Sequence, residues 1–139
     1  MSDDPNVTSG ALPRLLRDLR HKLLHVHKTL LDMERADYEK MFGSVNSGEL
    51  LQLVINGSQF SWLRKISALV VEIDETLDEL DGEAPAAPAE MRSLIEQARL
   101  LLTTSDNEDF RQKYQAALQR EPAIVVAHAE VMNVLREDA

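Results

Sequence analysis

Between Leu12 and Met33 the chain repeats apolar residues in a strict four-three alternation: Leu12, Leu16, Leu19, Leu23, Val26, Leu30 and Met33. That spacing lays one continuous stripe along an α-helix. Leu24, Leu31 and Tyr38 widen the stripe, and the pattern persists to about Phe42, where Gly43 supplies the left-handed position past a helix end. The spacing predicts a start near Pro13, a residue tolerated in a first turn because its missing N–H is not needed there. About thirty residues of helix make a rod of about 45 Å. A rod of that length belongs in a helical bundle.

The stretch Leu50–Leu80 carries two further patterns. Leu63, Ile66, Val70, Ile73, Leu77 and Leu80 form one helical stripe, and Leu50, Leu51 and Val54 are out of phase with it. One straight helix cannot turn both sets toward one core, so the sequence predicts a break at Asn56-Gly57-Ser58. Asn46 and Glu49 match a capping box, with Val45 and Leu50 at the staple positions, for a helix from Ser47 to about Asn56. The next helix is expected from about Ser58 to Asp81, with Gly82 ending it. Glu83–Ala89 holds two prolines and no periodicity and reads as a linker. Met91, Leu94, Ile95, Ala98, Leu101 and Leu102 mark a helix from about Pro88. Ser105-Asp106-Asn107-Glu108 reads as a second capping box, opening a helix with Phe110, Tyr114, Ala117 and Leu118. Pro122 interrupts it, and a last helix to Arg136 carries Ile124, His128, Val131 and Leu135. The expected fold class is all-α and antiparallel four-helix-bundle-like. The second rod breaks near Asn56-Gly57, and the last is interrupted at Pro122. Residues 11–139 form the single domain, behind a disordered start at residues 1–10.

A chain of 139 residues is most simply one domain, long enough to bury roughly 65–70% of its unfolded surface without a metal or disulfide. It contains no Cys, which removes thiol nucleophiles, disulfides and thiolate metal sites and fits a reducing compartment. The start MSDDPNVTSG is acidic and polar, unlike a signal or transit peptide. No apolar run approaches the roughly 18–20 residues of a membrane span. The cytoplasm is the expected location. A formal net charge of −9 opposes binding to nucleic acid or anionic membranes.

The charge is unevenly spread. Arg14, Arg17, Arg20, Lys22 and Lys28 share their stretch with one carboxylate, Asp18. From Glu72 to Glu90 there are Glu72, Asp74, Glu75, Asp78, Glu79, Asp81, Glu83 and Glu90, and no cation. Both placements oppose the helix dipole. An antiparallel third helix would set its acidic end beside the basic start of the first, where cross-helix pairs fix the register; the alternative is a partner docked on either end.

Candidate chemistry is sparse. Asp18, His21 and His25 share a helical face with the spacing of a two-His, one-carboxylate metal site, opposite the stripe that faces inward. No Glu-x-x-His motif exists, which argues against a di-iron bundle. His25 and Lys28 loosely resemble the signature of histidine phosphotransfer domains, in which a Gly follows the Lys; here Thr29 holds that place. His128 sits within the apolar stripe of the last helix, where a lone His most simply bonds a neighbour. Asp37 extends the inward stripe of the first helix and needs a partner. Phe60, Trp62, Arg64 and Lys65 have the composition of a binding patch, although aromatics at helical spacing more often extend a core. No catalytic constellation is present, and the sequence implies no cofactor.

Glu49-Leu-Leu-Gln-Leu, Phe60-x-Trp62-Leu-Arg-x-Ile-Ser-x-Leu-Val-Val-x-Ile-Asp-Glu75 and Leu30-Leu-Asp-Met-Glu-Arg-Ala-Asp-Tyr38 together resemble a family of small bacterial all-helical proteins to which no activity is attached. The resemblance extends over Phe110 to His128. It implies a bacterial cytoplasmic helical protein and transfers no site. The function expected is that of a non-enzymatic interaction or regulatory protein; the alternative is a bundle that binds a small ligand or metal. The expected partner is another protein or a second copy. Ile124, Val125, Val126, Ala127, Ala129, Val131, Met132, Val134 and Leu135 cover more than one face of the last helix and suggest apolar surface for another subunit.

Overall fold

The computed structural model describes residues 5–80 and 88–137. Six helices follow in order: α1 (Pro5–Phe42), α2 (Ser47–Asn56), α3 (Arg64–Glu79), α4 (Pro88–Thr104), α5 (Glu108–Arg120) and α6 (Pro122–Arg136), with a 3-10 turn at Ser61–Leu63 leading into α3. The described residues contain no strand, so the chain is all-α.

Helix α1 begins eight residues before the expected start. Pro5 takes the first-turn place where a missing N–H is harmless, and Pro13 lies inside the helix, which forgoes one backbone hydrogen bond there. The stretch expected to be disordered is therefore helical from Pro5 onward, and residues 1–4 lie outside the described residues. So do Asp81, Gly82 and most of the expected linker Glu83–Ala89. At the other end of α1, Gly43 stands at φ +91°, a left-handed conformation that L side chains rarely adopt.

Polar links between helices give their directions. Glu34 of α1 meets Gln59 and Trp62, and Arg20, fourteen positions earlier, pairs with Asp74. Chain numbers thus fall along α1 as they rise through the turn into α3, and the two are antiparallel. His25 meets Glu130 of α6, and Asp37, further along α1, meets Arg120 at the end of α5, two residues before α6 starts, so α6 also runs against α1. The core between them contains Leu16, Leu19, Leu23, Val26 and Leu30 of α1 and Ile66, Leu69, Val70 and Ile73 of α3. Facing these are Met91, Ile95, Ala98 and Leu102 of α4 and Ile124, Ala127, Val131 and Leu135 of α6. Each of the Leu, Ile, Val and Met side chains contributes about 1.5–3 kcal/mol when fully buried, and four helices share that stabilisation.

The two short helices differ from this frame. Asn46 caps α2 through a reciprocal box: its side chain accepts from Glu49 N at 2.8 Å, and the Glu49 carboxylate accepts from Asn46 N at 3.0 Å. Helix α2 nevertheless contains no buried residue. In α5 the cap is Asn107 rather than Ser105. Asn107 Oδ1 accepts from Phe110 N at 2.9 Å, while Ser105 Oγ accepts from Asn107 N at 3.2 Å. Glu108 then falls in the first helical position, too early to close the expected box.

All six aromatic residues of the chain belong to two runs. Phe42, Tyr38 and Phe60 form one, with ring centroids 4.7 and 6.3 Å apart. Trp62, Phe110 and Tyr114 form the other at 5.5 Å spacings, and His128 continues it at 5.6 Å. Edge-tilted and stacked pairs at these distances add to area burial. They bind α5 and the 3-10 turn to the bundle.

Candidate functional site

The turn between α2 and α3 is built around Gly57. Its N–H donates to Leu53 O at 2.7 Å, and a Cβ at this position would lie 2.5 Å from the same oxygen. No larger residue fits without moving backbone. The chain then closes through Phe60 N–H to Gly57 O and delivers Trp62 inward. Trp62 Nε1–H donates to Glu34 Oε2 at 2.7 Å, and Gln59 Nε2 donates to Glu34 Oε1 at 3.0 Å. A carboxylate on α1 thus fixes the only Trp, whose ring packs on Phe110 of α5.

Trp62 and Phe110 are buried, yet their edges form part of the floor of a cleft of about 730 Å3 between the start of α3 and the end of α4. Leu69 and Leu101 extend the floor, and Ala68 and Leu100 stand on the rim. Arg64 and Lys65 at the start of α3 flank the same end as Asp106 and Asp109, which follow α4, and Glu72 lies further along. A second depression of about 320 Å3 shares Glu72 and Gln97 with the first and continues past Leu94 and Thr76 to Glu75, Glu79 and Glu90. Residues early in α3 line it with residues late in α4, and the reverse, so the two helices are antiparallel walls of one trough. From Lys65 to Glu79 the trough spans fourteen positions, about 21 Å of helix. Glu72, Glu75, Glu79 and Glu90 take part in no ion pair among the described residues.

The residues singled out from the sequence fall in several places. Phe60 and Trp62 are 1% and 4% exposed, whereas Arg64 and Lys65 are outside. The four therefore do not form one surface patch, because burial claims both aromatic rings; only Trp62, Arg64 and Lys65 meet, in the cleft. Arg64 donates to Ile55 O, closing the end of α2. Asp18, His21 and His25 are all exposed, and His25 reaches α6, with Nδ1 2.8 Å from Glu130 Oε1. That contact and the nearby Lys22 and His21 hold Glu130 below the usual carboxylate range. Among the described residues no three His, Asp or Glu side chains are grouped closely enough to hold a metal. Lys28, the second residue of the phosphotransfer resemblance, bonds Asp32 one turn on at 2.9 Å.

His128 is half-buried with Nδ1 2.7 Å from the Tyr114 hydroxyl. Burial lowers His128 and raises the Tyr114 phenol, so both groups are neutral at pH 7. Asp37 finds its partner in Arg120, whose Nη1 lies 2.8 Å from Asp37 Oδ2, and is held below the usual carboxylate range by it. In α6, Ile124, Ala127, Val131, Val134 and Leu135 are buried, leaving Val125 and Val126 as the large exposed apolar residues. Of the expected pairing between the basic and acidic stretches, Arg20–Asp74 forms; the other carboxylates of α3 that line the trough turn toward α4. No described helix is long and apolar enough to cross a membrane.

Two features escaped sequence reasoning. Glu34 bears no mark of its role, because its partner lies 28 positions away. The carboxylates of the trough were visible as a run, but their sharing of one depression with Glu90 and Leu94 depends on how α4 packs. Comparison with family models, curated proteins and solved structures finds no match for this chain.

Proposed function

We propose that this chain is a non-enzymatic cytoplasmic interaction protein that receives an amphipathic helix of a partner protein in the α3–α4 trough. The frame for this role is an antiparallel four-helix bundle of α1, α3, α4 and α6, with α2 and α5 bracing the end that carries Trp62. The observation that carries the reading is an apolar floor beside four carboxylates that take part in no ion pair among the described residues. Exposed apolar surface and unpaired charge together select an occupant with an apolar stripe and basic residues. Its basic end lies on Glu75, Glu79 and Glu90; the other end of the trough sets Arg64 and Lys65 beside Asp106 and Asp109 and so carries mixed charge. Nucleic acid and anionic membranes are repelled by the same carboxylates.

The second reading, a small ligand, is favoured by one feature. The cleft beside Trp62 has the 300–1,000 Å3 size usual for such sites and an aromatic floor.

Trp62 is the natural reporter. Titration with a synthetic amphipathic helical peptide of about four turns, bearing Leu on one face and Lys at one end, is expected to change Trp62 fluorescence. Binding should weaken as salt rises. The E75K/E79K variant should lose about tenfold or more in affinity, since rim charges set electrostatic complementarity. A peptide with Glu in place of Lys that binds equally well sinks the proposal. So does a basic peptide that leaves Trp62 and the α3 and α4 amides unmoved. Saturable binding of small aromatic compounds with no response to either peptide favours the ligand reading.

A further inference from the structure

The corner formed by the end of α1 and by α2 departs from the rest of the molecule in charge. From Met41 to Leu63 there is one ionisable side chain, Glu49, in a chain that is 28% charged. Even that carboxylate accepts a bond from its own helix start, Asn46 N. Five of the ten residues of α2 are Leu, Val or Ile, yet none is buried. Leu50, Leu53 and Val54 lean on the core. Leu51 and Ile55, one turn apart, face outward at 56% and 49% exposure, and Met41 and Phe42 at the end of α1 are 76% and 69% exposed. These are four of the large apolar side chains that the fold leaves in water, gathered at one corner.

The corner is held in place rather than left loose. Arg35 donates to Val45 O at 2.8 Å, Val45 N donates to Glu39 at 2.8 Å, and Arg64 donates to Ile55 O. Both ends of α2 are thereby tied to α1 or α3, so the outward face is presented with little ordering left to occur on binding.

We propose that this face is a self-association surface, on which α2 and the end of α1 pack against the same elements of a second copy about a two-fold axis. Electrostatics restricts where two copies can meet. Two copies each carrying −9 repel over most of their surfaces, and this corner lets them touch without bringing carboxylates together. An apolar face is also its own complement, as a two-fold contact requires. It offers almost no charge with which to recognise a charged partner. The inference is independent of the trough, which lies on α3 and α4 and depends on charge.

Light scattering and sedimentation of the full chain, from about 1 to about 300 μM, test it. That range brackets the affinity of interfaces at the small end of the size scale. A monomer–dimer equilibrium is expected, and added salt should strengthen it by screening the repulsion, the reverse of its effect on the trough. The variants L51E/I55E and, separately, M41K should shift the equilibrium toward monomer by at least about tenfold while keeping the wild-type circular dichroism. Met41 is so exposed that its change leaves the fold intact. A chain that stays monomeric throughout overturns the proposal, as does a dimer that both variants leave unchanged. A monomer that binds neutral phosphatidylcholine vesicles and loses that binding in L51E/I55E assigns the face to lipid and equally overturns it.

Discussion

Glu34 and Gly57 act at the scale of single atoms, and each has a measurable consequence. The Glu34 carboxylate accepts from the Trp62 indole and from Gln59. In Glu34→Ala, the buried Trp62 N–H loses its partner, and a buried donor left unpaired costs about 1–3 kcal/mol. Urea denaturation followed by Trp62 fluorescence should show that loss together with a changed emission maximum in the folded state. Unchanged stability and emission would mean that the indole N–H is not sealed from water. Gly57 is required for space rather than for an unusual φ. An added methyl would meet Leu53 O at 2.5 Å, so Gly57→Ala must displace the end of α2 or the turn and should destabilise by about 1–3 kcal/mol. Neither role follows from residue type alone. A Gly after Asn marks a turn whatever its packing, and a Glu on a helix is ordinarily a solvated one.

At the scale of elements, the caps of the short helices and the buried stripes of the long ones were legible, whereas the start of α1 and the exposure of α2 were not. Asn46 and Glu49 have the spacing of a reciprocal cap, and that cap forms; the Asp-Asn-Glu run before Phe110 marked a helix start but left the choice of capping residue to local geometry. Caps and prolines act within a few residues, so sequence carries them directly. Which face of a helix is covered depends on neighbours far along the chain. The out-of-phase residues Leu50, Leu51 and Val54 were visible, but the phase slip did not say that α2 would contain no buried residue. The near-absence of charge from Met41 to Leu63 was equally visible and was the available signal for that exposed corner. An element held by its cap and its anchors rather than by burial opens locally, below the cost of global unfolding. Asn46→Ala removes a cap, a change of about 1 kcal/mol. Hydrogen exchange should therefore quicken in the amides of α2 while those in the core of α1 and α6 keep their protection. Equal acceleration everywhere would show that α2 unfolds only with the whole molecule.

Acid acts on the whole molecule through two sets of shifted groups, which have the same sign and differ in pH window. His27 and His128 are both lowered from 6.5 by burial. The unfolded chain therefore takes up these protons first as pH falls, so stability contributed by the neutral imidazoles is complete above pH 6.5. It declines as pH drops toward the folded values and levels off below them. Asp37 has the same sign in a lower pH window. Arg120 depresses it below 3.8, so its contribution is complete above that pH and is lost as pH falls through the depressed value. Glu130, held down by His25, follows Asp37. His128 lies between α5 and α6 on Tyr114, and His27 is half-buried in the middle of α1, so their protonation loosens the frame itself rather than an exposed end. Chemical-denaturation stability should fall between pH 7 and pH 5 in the wild type, and His27→Asn should flatten that slope. Asp37→Asn should leave it intact and remove part of the fall below pH 4. Because Arg120 and Asp37 are well solvated, Asp37→Asn should change stability at pH 7 only slightly. A wild-type curve flat from pH 7 to 5 would mean that both imidazoles titrate as they do in water, and that the helices around them open far more readily than their packing implies.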